Sequence, residues 1–252
     1  MHYQPILRLD DGLVRTLEAL LRWQHPTRGV VNPSQFIPLA EDTGLIVPIG
    51  AWALEEVCRQ IAEWNGVRRA RGASVLRATV NVSSRQLDGG DFADTVTRIL
   101  RETGADPDWI WLEITEGALM RDTTETIATM RRLRDLGVHL AIDDFGTGYS
   151  SLAYLRRFPV EALKIDRSFV AGLGENEEDT TIVRAIVDLA HALGLFAVAE
   201  GVETEAQRAE LERIGCELAQ GWLFGAALPA TAIEDPSAVA SWQKLSGSAT
   251  PR

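Results

Sequence analysis

Short apolar runs rich in branched residues recur along the chain, and between most of them the apolar positions fall at helical spacing. The runs at 3–9, 15–23, 77–82, 109–115, 139–145, 162–168, 195–202 and 218–224 predict eight strands. The segments at 51–65, 91–103, 123–136, 151–157, 180–193 and 205–214 predict helices, several closed by Gly104, Gly137, Gly194 or Gly215. Strands that alternate with helices pair in parallel through crossovers. The first two runs are separated by a turn containing Asp10, Asp11 and Gly12, which predicts an antiparallel hairpin instead. Eight strands in 252 residues predict an α/β fold, a modified (β/α)8 TIM-like barrel with an antiparallel first strand. A single domain over 1–240 is expected, followed by a Ser-, Gly- and Pro-rich tail at 241–252 that frays.

Near the end of nearly every strand stands a polar residue that an apolar core would not select: Glu18, Asn81, Glu113, Asp143 with Asp144, Lys164, Glu200 and Gln220. In a (β/α)8 barrel the carboxyl ends of the strands converge on one mouth, where catalytic groups come from several strands. Five carboxylates and one lysine leave that mouth at a net charge of −4. Two carboxylates ~4 Å apart repel by about 4 kcal/mol at an effective dielectric near 20, so the bare cluster must take up protons or cations. Two divalent ions would neutralise it. An all-oxygen ligand set favours Mg2+ or Mn2+ over zinc or copper, and paired ions are a device for cleaving phosphodiesters. Successive strand residues face opposite ways, so Asp143 and Asp144 reach a shared ion pair only if the strand ends there, at the turn-forming 145–148.

Composition narrows the alternatives. The chain carries 36 acidic against 25 basic residues, a net charge of −11, which argues against binding to a DNA or RNA duplex. Cys58 and Cys216 show no metal or disulfide spacing and read as buried thiols. His2, His25, His139 and His191 form no ligand pair and read as structural or surface residues. The stretch GTGYSS at 146–151 lacks the third glycine of a dinucleotide fingerprint and the GK[ST] of a P-loop, and reads as a mobile active-site loop. No apolar run reaches the ~18 residues of a membrane helix. A cytoplasmic location is expected, with membrane tethering through neighbouring segments left open.

The run EALLRW at 18–23 resembles the signature of EAL-domain phosphodiesterases, which hydrolyse the bacterial second messenger cyclic di-GMP. The resemblance covers essentially the whole chain: YQPI at 3–6, FIPLAEDTGLI at 36–46, NVS at 81–83, EITE at 113–116, DDFGTGYSSL at 143–152, LKID at 163–166, AEGVE at 199–203 and QGWLF at 220–224. It implies that residues 1–240 are an EAL phosphodiesterase domain, a barrel whose first strand is antiparallel. It also implies that Glu18, Asn81, Glu113 and Asp143 hold one metal ion while Asp143, Asp144 and Glu200 hold the second. Lys164 and Glu200 would act at the reacting centre, with Lys164 beside the attacking water. Glu116 would hold the loop that carries the aspartates, and Gln4, Arg22, Glu203 and Gln220 would bind substrate or support the site. The implied reaction opens one phosphodiester of cyclic di-GMP to linear pGpG with a water activated by two metals. The alternative is a non-catalytic cyclic di-GMP receptor; a different two-metal barrel enzyme would leave the motif series unexplained. A homodimer is implied, with Leu152, Tyr154 and Leu155 as candidate interface residues, as is fusion to GGDEF or sensory modules outside this chain. Three departures stand out: Gly117 where serine is common, Trp222 where Tyr or Phe is usual, and Ala226-Ala227 where a basic-Pro pair is frequent. None removes a ligand, and the last bears on substrate affinity more than on chemistry.

Overall fold

A computed structural model describes residues 1–119, 124–148, 155–233 and 242. Strands β1 (His2–Arg8) and β2 (Val14–Leu20) form the expected hairpin, in which Gln4 lies opposite Glu18. A short second hairpin follows, β3 (Trp23–His25) with β4 (Gly29–Val31), and then helices α1 (Pro33–Thr43) and α2 (Ile46–Ala70). Strand β5 (Arg77–Val82) leads to α3 (Ser84–Leu87) and α4 (Phe92–Thr103), and β6 (Ile110–Thr115) to α5 (Glu116–Leu119) and α6 (Thr124–Asp135). The chain continues through β7 (His139–Phe145), β8 (Ala162–Ile165), α7 (Arg167–Val170), α8 (Glu177–Ala192), β9 (Phe196–Ala199), α9 (Glu205–Ile214), β10 (Leu218–Gln220) and β11 (Leu228–Pro229).

Strand β2 and strands β5 to β10 pair in parallel in chain order, and β1 closes the ring by pairing antiparallel with both β2 and β10. The result is the eight-stranded barrel with an antiparallel first strand. Both strand faces are buried. Leu17, Val80, Leu112, Ile142 and Leu163 pack outward into a core shared with Val57, Val96, Val187 and Leu211 of the surrounding helices. Ile6, Ala141, Ala162 and Val198 form a separate interior cluster against Trp111 and Leu218, so side chains plug the barrel below its mouth. At the opposite end His139 stacks on Trp111 and lies 2.8 Å from Glu161 and 3.0 Å from Asp108, a structural role consistent with the sequence reading. Cys58 and Cys216 are buried free thiols. Among the described residues no helix is long and apolar enough to cross a membrane.

The departures from expectation have local causes. Strands two, six, seven and eight end earlier than their apolar runs, at Leu20, Ile165, Ala199 and Gln220. At the sixth, Asp166 accepts a hydrogen bond from the Ser168 backbone N–H (3.0 Å) and starts α7 in place of further strand. Helix α1 escapes the hydrophobic pattern because two prolines interrupt it. Pro33 nevertheless occupies the first turn, behind the Asn32 cap, where a missing N–H costs nothing. The helix expected at 151–157 falls largely outside the described residues, as do the interface candidates Leu152 and Tyr154. Leu155 is packed into the core and is unavailable to a partner. Within the tail expected to fray, the described residue Trp242 is fully buried, against Gly225 and Pro5; the rest lies outside the described residues.

Candidate active site

Parallel strands carry their last residues to one end, and β1, running the other way, brings its first residues there. Glu18 on β2, Asn81 on β5, Glu113 on β6, Asp143 on β7 and Lys164 on β8 therefore meet at the mouth, with Glu200 just beyond β9 and Gln220 closing β10. Lys164 is the common neighbour. Its Nζ lies 2.5 Å from Glu200, 2.9 Å from Glu113, 3.0 Å from Asp143 and 3.8 Å from Glu18, with its side chain only 2% exposed. Burial by itself would drive the ammonium towards neutrality, but Asp143, Glu113, Glu18 and Glu200 overcome it and hold Lys164 protonated, well above its ordinary value. The same burial raises Glu113 far above the usual carboxylate range and pushes Glu200 up to about 7, against the pull of Lys164. Asp144 is raised too, by burial and by the adjacent Asp143. The cluster therefore carries more negative charge than one lysine comfortably balances.

Asp143, Asp144 and Glu200 each offer a carboxylate oxygen, and the three oxygens lie within 4.8 Å of one another. The strand has the span 139–145 that the apolar run predicts, but it does not stop at the two aspartates as the sequence reading asked. It runs on to Phe145, and an irregularity in its pairing with β8 falls between Ile142 and Phe145. Asp144 adopts a left-handed backbone with φ of 54°, a conformation that Asp tolerates better than most residues. This irregularity turns consecutive carboxylates towards one site.

Supporting groups surround the cluster. Asn81 Nδ2 donates to Glu18 Oε1 (3.0 Å), and Gln220 Nε2 donates to Glu18 Oε2 (2.5 Å) and Gln4 Oε1 (3.0 Å). Gln4 in turn donates to the Gly225 carbonyl (3.0 Å), so the antiparallel strand and the segment after β10 jointly orient Glu18. Glu116, buried at the start of α5, accepts from the backbone N–H groups of Gly146 (2.8 Å) and Gly148 (3.4 Å). A side chain at Gly148 would press to within 2.6 Å of Glu116 Oε1. The loop after Asp144 is thus held by its backbone amides. Tyr149, Ser150 and Ser151 of the GTGYSS stretch lie outside the described residues.

Two cavities adjoin the site, one reaching the carboxylates and the other reaching Asn81. One, of about 340 Å³, is lined by Gln4, Glu18, Asp143, Glu200, Glu203 and Gln220, together with Arg167 and Trp222. The other, of about 560 Å³, is lined by Arg22, Asn81, Pro33 and Gln86. Leu20 lines both. Arg22 is half-buried, donates to the Leu21 carbonyl (2.9 Å) and lies within the field of Glu18, and Glu203 is exposed on the rim of the smaller cavity. The sequence reading found Lys164 as the one strand-end cation and missed Arg167. Its signal was available: a basic side chain within the run at 162–168, three residues after Lys164, in an acidic chain.

The family model for the EAL domain matches residues 1–227. The cyclic di-GMP phosphodiesterase NbdA of Pseudomonas aeruginosa is 47% identical over 93% of this chain, and the bifunctional diguanylate cyclase/cyclic di-GMP phosphodiesterase MucR of the same organism is 46% identical over 91%. The chain spans only 30% and 33% of their lengths. A solved structure of the PaMucR phosphodiesterase in complex with c-di-GMP superposes with a TM-score of 0.85 at 46% identity, covering 91% of this chain and 92% of that one. The EAL domain of Mycobacterium smegmatis DcpA superposes with a TM-score of 0.77 at 40% identity, covering 91% and 93%. Barrel, carboxylate mouth and matched sequence agree, and the chain belongs to the EAL domain family.

Proposed function

We propose that this chain hydrolyses one phosphodiester bond of cyclic di-GMP to linear pGpG, using water activated at a two-cation site. The observation that carries the reading is the convergence of the Asp143, Asp144 and Glu200 oxygens within 4.8 Å beside a lysine shared by four carboxylates. Relatives named as cyclic di-GMP phosphodiesterases and a structure in complex with that ligand support the substrate. The shape fits as well: a cyclic dinucleotide carries two bases on a phosphate ring, and two cavities flank the cluster.

The residues fit divalent ions. The donors are oxygens, those of Asp143, Asp144 and Glu200 lie within 4.8 Å of one another, and the burial that raises Glu113 and Glu200 is relieved by positive charge. Glu18, Asn81, Glu113 and Asp143 would hold one Mg2+ or Mn2+, and Asp143, Asp144 and Glu200 the other. Such ions, when bound, offset the negative charge and supply a nucleophilic water near neutral pH.

This chain's residues would do the rest. Asn81 and Gln220 each donate to one oxygen of Glu18, and Gln4 holds Gln220 in place. Lys164, kept charged by its neighbours, would orient the attacking water and stabilise charge developing on the phosphoryl oxygens. Glu116 would hold the aspartate loop, Arg22 and Arg167 would face phosphate from the two cavities, and Glu203 would contact substrate on the rim. The water oxygen bonds to phosphorus, the P–O3′ bond breaks, and the proton passes to the leaving 3′ oxygen, which yields a 5′-phosphorylated linear dinucleotide.

The test is product analysis with cyclic di-GMP and Mg2+ or Mn2+. Linear pGpG should appear, should vanish with chelator and should form poorly with Ca2+, whose longer and looser coordination suits a tight ion pair badly. Tight binding without turnover would replace this reading with a receptor, and full turnover in chelator would remove the metals from it.

A further inference from the structure

Helices α1 and α2 and strand β3 enclose a third cavity, of about 470 Å³, beside the active site. Four apolar side chains on its walls stay open to solvent: Leu39 of α1, Leu45 at the start of α2, Trp52 within α2 and Trp23 of β3, each between 42% and 61% exposed. Single exposed apolar residues are ordinary on a surface, but four gathered around one cavity mark a binding surface. Spacing along the chain puts them there. Leu45, Ile49 and Trp52 stand at i, i+4 and i+7 and share one face of α2. Trp23 packs edge to face on the buried Phe36 of α1, with ring centroids 5.6 Å apart. The cavity is therefore built into the folded chain, and its volume falls in the range of small-molecule sites, roughly 300–1,000 Å³.

Among the described residues lining this cavity, Arg22 is the charged one. One of its N–H groups goes to the Leu21 carbonyl (2.9 Å), and among the described residues no carboxylate lies within 4.0 Å of its guanidinium. Burial pulls the group below its ordinary value, against the pull of Glu18. A partly dehydrated guanidinium with donors to spare gains most from an anion it can hold by two parallel hydrogen bonds, which is the geometry of a carboxylate. The rest of the lining is apolar apart from Thr43, whose hydroxyl is spent on the Leu39 carbonyl (2.7 Å). The net charge of −11 opposes an anion only weakly, because exposed charges beyond about 8 Å are screened at physiological salt. A protein partner would need roughly 800 Å² of contact on each side, whereas the open side chains here surround one compact cavity. We propose that this cavity binds a medium-chain fatty acid, with the carboxylate on Arg22 and the alkyl chain on Leu39, Leu45 and Trp52. Leu21, Arg22 and Ile49 also line the larger active-site cavity, so a fatty acid that holds the guanidinium denies it to the substrate phosphate. The bound acid then raises KM, a consequence that rests on the cyclic di-GMP reading, whereas the binding does not.

Decanoate below its micellar concentration is the probe. By calorimetry it should bind the wild-type chain one to one and shift the tryptophan emission, since Trp23 and Trp52 line the cavity. Decanol, which has the chain without the charge, should bind at least about tenfold more weakly. Leu39→Glu places a carboxylate on the cavity wall and should abolish decanoate binding, and Trp52→Ala should weaken it. Both positions are about half exposed or more, so melting temperature and basal hydrolysis should stay near wild type in each variant. With free Mg2+ held constant and saturating, decanoate should raise the KM for cyclic di-GMP about fivefold or more in the wild type, with kcat within about threefold, and should leave Leu39→Glu unaffected. Absence of binding, or equal binding to wild type and Leu39→Glu, overturns the site, and decanol binding as tightly as decanoate overturns the role of Arg22. Binding with an unchanged KM overturns the competition for Arg22. Self-association of the wild type that Leu39→Glu abolishes would assign the cavity to a second copy of the chain and overturn the fatty-acid assignment. If the wild type does not hydrolyse cyclic di-GMP, the functional reading fails, and calorimetry still decides the site by itself.

Discussion

Lys164 concentrates the chemistry of the site in one side chain. Its ammonium touches Glu113, Asp143 and Glu200 and stands 3.8 Å from Glu18, so it serves as the internal counter-ion of the carboxylate cluster. Removing one partner of a buried ion pair costs about 3–5 kcal/mol, because the remaining charge is left uncompensated. Lys164→Met should therefore lower the melting temperature in chelator by roughly 6–20 °C for a chain of this size. Added Mg2+ should recover much of that loss. If the lysine also acts on the attacking water, kcat should stay low at saturating Mg2+, whereas near-normal kcat there would reduce Lys164 to a counter-ion. Glu116 acts one step further out. Glu116→Ala deletes the acceptor for the Gly146 and Gly148 amides and should cost about 10- to 100-fold in metal affinity or activity, partly repaired by raising Mg2+. Glu18→Gln should abolish hydrolysis without such repair, and equal rescue of both variants, measured as rate against Mg2+ concentration, would show Glu116 to be misassigned.

At the scale of the element, the end of β7 decides whether two adjacent aspartates serve one site. A regular strand would send Asp143 and Asp144 to opposite faces. Asp144 avoids this by a positive φ within a stretch of irregular pairing. Two substitutions separate backbone from charge. Asp144→Asn keeps a side chain that tolerates the left-handed region, so it should unfold within a degree or two of wild type and lose hydrolysis. Asp144→Val places a β-branched residue there and should destabilise by about 1–2 kcal/mol or more. Equal melting temperatures for the two would mean that the conformation at 144 carries no strain worth the name.

At the scale of the whole molecule, ring closure is where the fold and the site depend on each other. Gln4 of β1 and Gln220 of β10 come from opposite ends of the chain, and both reach Glu18 or its partner across the closing seam. Trp242 is buried beside that seam: a Cβ at Gly225 would lie 2.6 Å from the Trp242 Cβ and 3.3 Å from Pro5. The Gly225 carbonyl is the acceptor for Gln4. Trp242→Ala should then cost about 3–5 kcal/mol of stability, typical of a large buried aromatic, and should also weaken Mg2+ binding by loosening Gln4 and Gln220. Thermal unfolding and a Mg2+ titration check this together. A stability loss with unchanged Mg2+ affinity would confine Trp242 to packing.

Whereas helix α1 and the β3–β4 hairpin were not legible in the linear pattern, the order of the barrel strands, the opening hairpin and the polar residues near the strand ends were. Each depends on local spacing: alternation along a strand, helical periodicity, a turn between two runs. The four glycines expected at helix ends adopt positive φ for the same local reason. Tertiary structure decided the rest. Glu113 and Lys164 are 51 residues apart and Glu18 and Gln220 are 202 apart, and no local pattern records that these side chains touch. The irregular end of β7 was hidden because it depends on how β7 pairs with β8, and the sequence reading could supply only the demand that two carboxylates meet. Arg167 was read as an ordinary residue of its segment and Trp222 only as a departure within its motif, until barrel closure put both on one cavity wall. The chain's local chemistry thus determined which groups could act, whereas the closed ring, by bringing eight strand ends within a few ångströms, determined which of them act together.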